Sequence, residues 1–135
     1  MVNRRILLGS AGAAFAQALL SQAQTPAGGR KVVFEHELPD VNIKDWSVTA
    51  VEVSYGPGES SAAHRHPGIT VVYVLEGEVR SKVGDGAEKT YTPGQMFIET
   101  PNQLHAVSGN ASKTKPAKML AILLAEKGKQ LTTPA

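Results

Sequence analysis

The 135-residue chain contains no cysteine. That excludes disulfide cross-links, thiolate metal sites, cysteine nucleophiles and lipid attachment through an N-terminal cysteine. Aromatic residues make up only 5% of the chain and charged residues 19%. Nor is there a marked excess of one charge, since fourteen Lys and Arg against twelve Asp and Glu give +2. Long apolar runs are missing too. The stretch from Ile6 to Leu20 is interrupted by Ser10 and Gln17 and falls short of the roughly 18 residues a membrane span needs. Nucleic acid is therefore not an expected partner. What remains is 41% hydrophobic content, enough for one modest core in one domain.

The N-terminus has a character of its own. Arg4 and Arg5 precede an Ala-, Gly- and Leu-rich stretch, and Ser21-Gln22-Ala23 places small residues where an export peptidase cuts. Residues 1–23 are expected to be an export signal, similar to a twin-arginine leader with Leu7 and Leu8 behind the pair. Asn3 and Gly9 depart from that pattern and leave ordinary secretion open. Residues 24–30, with Pro26, Gly28 and Gly29, read as a flexible linker. Removing residues 1–23 takes two arginines and no acid, which leaves twelve charges of each sign. The expected location is the periplasm or the extracellular space, with no membrane association once the signal is gone.

Residues 31–135 are expected to form a single all-β domain. Short runs rich in Val, Ile, Thr and Tyr recur between Gly, Pro, Asn and Asp. The expected strands are Lys31 to Glu37, Trp46 to Tyr55, Ile69 to Leu75, Glu78 to Val83, Lys89 to Tyr91, Gln95 to Glu99, His105 to Ser108 and Lys118 to Leu124. In the second of these, Val51, Val53 and Tyr55 alternate with Ala50, Glu52 and Ser54, the period of a half-buried strand. Lys118 to Ala125 also suits a buried helix, but its length and all-β surroundings favour a strand. Many short antiparallel strands argue for a sandwich or barrel.

His64 and His66 are two residues apart, so in an extended segment their rings share a face. Two inward imidazoles need hydrogen-bond partners and repel one another when protonated. A shared metal ion resolves both difficulties. The surrounding sequence runs Gly58-Glu59-Ser60-Ser61-Ala62-Ala63-His64-Arg65-His66, then Pro67-Gly68-Ile69-Thr70, then Tyr73 to Glu78 around Gly77. This resembles the first motif of the cupin superfamily, with Thr70 in the place of that motif's glutamate ligand. Gly94, Phe97, Pro101, His105 and Asn110 resemble the second motif more loosely, because Gln103 takes a glycine's place.

The resemblance implies a double-stranded β-helix, or jelly-roll, barrel. It also implies a metal site of His64, His66 and His105 holding one divalent transition metal ion: Fe, Mn, Ni, Cu or Zn. Glu99, six residues before His105, is the acidic candidate for a fourth ligand or a catalytic acid. Thr70, Tyr73 and Gln103 are candidates for positions around the ligands. Arg65 should face away and pair with Glu52 or Glu78, and His36, between Glu35 and Glu37, reads as a surface histidine. Three functions fit. One is a metalloenzyme of dioxygenase type, or a lyase or isomerase, acting on a small and possibly anionic molecule. Another is a binding module without turnover. The third is a structural homodimer, suggested by the apolar run Ile69 to Leu75.

Overall fold

The computed structural model describes residues 29–135. The expected export signal of residues 1–23 lies outside the described residues, as does most of the expected linker. Among the described residues there are ten strands and no helix. They are β1 (Trp46–Tyr55), β2 (Ser60–Ser61), β3 (His64–Arg65), β4 (Ile69–Glu76), β5 (Val79–Val83), β6 (Lys89–Tyr91), β7 (Met96–Glu99), β8 (Leu104–Asn110), β9 (Ala117–Glu126) and β10 (Thr133–Pro134).

Two antiparallel sheets result. The four-stranded sheet runs β1-β9-β4-β7, and the other runs β10-β3-β8-β5-β6, with β2 paired to β8. Neighbours in space are mostly distant in sequence, the crossing pattern of a jelly roll. β9 settles the ambiguous run. Ala117, Met119, Ala121, Leu123 and Ala125 are buried, while the residues between them are half-buried. That is a period of two, and β9 pairs with β1 along its whole length, from Trp46↔Glu126 to Tyr55↔Ala117. Every second inward residue on β9 is alanine, so this wall carries little side-chain volume.

The first expected strand does not form. Lys31 to Glu37 is extended but unpaired, and Val32 and Val33 are 77% and 61% exposed. Val32 and Val33 lie beside Tyr91 and Met96 across a shallow cavity, but no strand ladder forms there, so β-propensity alone does not make a strand.

The core is built from the inward residues of both sheets. Val74, Val79, Phe97 and Ala117 fill it, with Tyr91 packed against Phe97 at a ring separation of 4.8 Å. Tyr55, Val72, Met119, Ala121 and Leu123 belong to the same cluster but also line a cavity of about 610 Å³. The interior is thus filled on one side and hollow on the other.

Two bends govern the sheet geometry. Gly58 and Gly77 both have positive φ, 73° and 69°. A β-carbon at Gly77 would lie 2.2 Å from the Pro116 carbonyl oxygen, whereas one at Gly58 meets nothing within 4 Å. Gly58→Ala is therefore expected to cost about 1–2 kcal/mol, the left-handed backbone strain alone. Gly77→Ala adds a backbone clash of about 1–3 kcal/mol. Urea unfolding of the two variants should show the larger loss at Gly77, and equal losses would contradict the close approach.

Candidate metal centre

His64 lies on β3 and His105 on β8, and the two are directly opposed in the antiparallel ladder. Their ring centroids are 4.9 Å apart, and the His66 ring lies 4.9 Å from that of His64. The i, i+2 expectation holds, since both rings of the pair face the cavity. Glu99 ends β7, where it sits opposite Thr70 of β4. Position 70 is where the motif glutamate is missing. The carboxylate therefore enters the same layer of the barrel from the neighbouring strand.

Four donor atoms, one each from His64, His66, Glu99 and His105, lie within 4.8 Å of one another. Glu99 Oε2 is 3.1 Å from His105 Nδ1 and 3.7 Å from His66 Nε2. Glu99 and His105 are 2% and 1% exposed. Despite the short separation, neither Glu99 Oε2 nor His105 Nδ1 makes a hydrogen bond. Buried polar atoms are rarely left so. Donors about 2.1 Å from one metal ion stand roughly 3–4 Å from one another. The separations, the orphaned atoms and the nitrogen–oxygen donor set all fit a transition-metal ion.

The far side of each ring is held. His64 Nδ1 donates to the Ala62 carbonyl at 2.8 Å, and His66 Nδ1 donates to the Leu131 carbonyl at 2.7 Å. A carbonyl only accepts, so both rings carry the proton on Nδ1 and turn a free Nε2 lone pair toward the cluster. His105 is reversed. Its Nε2 bonds to Ser81 Oγ at 2.8 Å, and its Nδ1 faces inward. A bulge between Lys82 and Val83 shifts the β5–β8 register, pairing Lys82 with Val107 and Val83 with His105. The extra residue, Ala106, lets His105 and Ser108 both face the cavity although they are three apart.

Burial lowers the pKa of His64 from its ordinary 6.5, against the opposing effect of its Ala62 hydrogen bond; the neighbouring His105 and His66 lower it further. The fold thus prefers the neutral ring. That preference stabilises the protein above pH 6.5 and is lost as pH falls through the lower folded-state value.

Other expected positions sort cleanly. Thr70 is buried in the cavity wall, and its Oγ1 makes no hydrogen bond. Tyr73 is not in that wall, because the inward residues of β4 are Thr70, Val72 and Val74, and alternation turns Tyr73 to the other face. Gln103 is not in the wall either; its side chain accepts a hydrogen bond from the Thr100 amide and braces the β7–β8 turn. Arg65 pairs with neither Glu52 nor Glu78. It donates to the Asn102 carbonyl, and Glu52 pairs instead with Lys118. His36 is exposed, outside the cluster.

Three features were not foreseen: the Ser81 hydroxyl, the Leu131 carbonyl, and the hydroxyl triad in which Tyr55 Oη meets Ser61 and Ser108 at 2.7 and 2.9 Å. The Leu131 carbonyl is brought to His66 by β10, which pairs with β3 and closes one side of the cavity. Nitrogen NMR of the metal-free protein is expected to show His64 and His66 as Nδ1–H tautomers. Deleting Lys127–Ala135 should turn His66 into a tautomer mixture. An unaltered His66 spectrum would refute the role given to this segment.

A cupin-domain-containing oxidoreductase, fogC of Aspergillus ruber, is 29% identical over 117 residues, which cover 82% of this chain and 56% of that protein. The chain thus spans little more than half the length of this relative. Among solved structures, the DMSP lyase DddQ of Ruegeria pomeroyi DSS-3 superposes with a TM-score of 0.58 at 17% identity, over 66% of this chain and 43% of that one. The oxalate decarboxylase of Lactobacillus farciminis gives 0.55 at 17%, over 64% and 26%. At these identities the two structures establish the fold. The family model for the cupin domain matches residues 51–123, more than half of the chain, and the protein belongs to the cupin superfamily.

Proposed function

We propose that this cupin is an exported metalloenzyme of oxygenase type, with His64, His66, Glu99 and His105 holding one divalent transition metal ion against a small-molecule substrate. The observation that carries the reading is the convergence of four donors, two of them buried without a hydrogen bond, on the wall of a 610 Å³ cavity. With Glu99, the acidic candidate of the sequence, as fourth ligand beside three neutral imidazoles, the site carries one negative charge of its own. The name of the fungal relative, an oxidoreductase, supports the reaction class.

A bound metal of this kind supplies Lewis acidity and, if iron, manganese or copper, one-electron chemistry. The protein's own contribution is orientation and exclusion of water. The Ala62, Leu131 and Ser81 contacts lock the orientation of the rings. The aliphatic wall of Val72, Met119 and Leu123 lowers the local dielectric and strengthens every charge interaction inside. Four protein ligands leave further positions of a five- or six-coordinate ion for substrate. Residues 1–23 would direct the chain out of the cytoplasm, and the domain following residue 30 would be the working unit, expected to pair as a homodimer.

Elemental analysis of protein isolated from its native compartment is expected to give one iron, manganese or copper per chain. Zinc alone would overturn the oxygenase class, and no metal the whole reading. His66→Ala, His105→Ala and Glu99→Gln should each lower metal affinity at least tenfold, while His36→Ala leaves it intact. Metal should also be retained at neutral pH and released in acid, at a pH below the ordinary imidazole value because burial lowers that of His64, as protons compete for the rings. Retention down to pH 4 would contradict imidazole ligation.

A further inference from the structure

We infer that the ligand of this cavity is a chelating monoanion with an apolar body, and that the site discriminates against a second negative charge. The inference rests on the metal reading above and adds to it the class of molecule bound.

The charge of the cavity wall is the starting point. Among the described residues, no Lys or Arg lines it, and Glu99 is its one acidic residue. Away from the metal cluster the wall is mainly aliphatic: Val51, Val53, Val72, Met119, Ala121 and Leu123. The hydroxyls there are neutral: Tyr55 bonds Ser61 and Ser108 at 2.7 and 2.9 Å, and Thr70, Thr132 and Thr133 add further hydroxyls but no cation. Two cationic side chains on neighbouring strands are committed elsewhere, Arg65 to the Asn102 carbonyl and Lys118 to Glu52.

A divalent ion held by three neutral imidazoles and one carboxylate keeps one net positive charge. One anionic group on the ligand neutralises it. A second would have to be buried against hydrocarbon with no cation beside it, and an unpaired buried charge is strongly disfavoured. The remainder of the ligand gains instead from apolar burial, about fourfold in affinity for each methylene covered. The volume of about 610 Å³ is that of a small-molecule site and far exceeds what a two-carbon diacid needs. An enolate, hydroxamate or carboxylate head with a hydrocarbon body matches this wall; a compact dicarboxylate does not.

The test is a calorimetric titration of zinc-loaded protein with acetohydroxamate, butyrohydroxamate and hexanohydroxamate, followed by a six-carbon hydroxamate bearing a distal carboxylate. Zinc content is measured before and after each titration. Affinity should rise roughly fourfold per methylene, so that hexanohydroxamate binds about a hundredfold tighter than acetohydroxamate or better. The distal carboxylate should cost at least tenfold against hexanohydroxamate. Val51, 38% exposed on the cavity rim, tolerates a charged replacement. Val51→Arg should recover most of that tenfold loss. A flat chain-length series, or a distal carboxylate that binds as well as the plain chain, overturns the inference even if the variant fails to fold. Stoichiometric zinc with a flat series overturns only this inference, whereas failure to hold zinc overturns the metal reading with it.

Discussion

Everything at the centre of this molecule depends on one cross-strand pair, His64 of β3 opposite His105 of β8. β3 is only two residues long and cannot hold its own position. It is held by β8 on one side and β10 on the other. This places His64 and His66 against a histidine some forty residues away in sequence. A closed sheet is the inexpensive way to do so, since main-chain hydrogen bonds fix the separation and side chains need only point inward.

The second constraint is hollowness. A barrel with Ala117, Ala121 and Ala125 alternating along its longest inner strand gives up apolar contact area that larger residues would bury. The filled half, around Phe97, Val74 and Val79, carries the packing. An ion shared among the four donors would add to the stability of the hollow half, because it would bind the folded arrangement and not the unfolded chain. Chelation and folding would then be one equilibrium at the open end of the barrel.

Much of this was legible in the sequence. The H-x-H spacing located His64 and His66 because a period of two is a property of any extended chain. The β1 and β9 strands were legible through alternation, and Gly77 through the turn it permits. Glu99 was legible only as a nearby acid. That it stands in the layer of the absent glutamate depends on the β4–β7 register, Thr70 against Glu99, which no local pattern encodes. Lys31 to Glu37 misled for the converse reason, having strand-forming residues but no partner edge. Tyr73 could be placed only once the inward parity of β4 was known. Ser81 became recognisable only after the bulge at Ala106 turned His105 toward it.

The group that fixes the His66 ring is a peptide oxygen, that of Leu131. No exchange of side chain at that position can delete it. A substitution at position 131 therefore leaves this bond in place, whereas Thr132, whose Oγ1 lies 3.3 Å from the same nitrogen, acts through its side chain. A single inserted or deleted residue in the same stretch would present a different carbonyl, or an amide, and undo the arrangement at once. For this one bond, the length of the segment is constrained where the side chain of residue 131 is not.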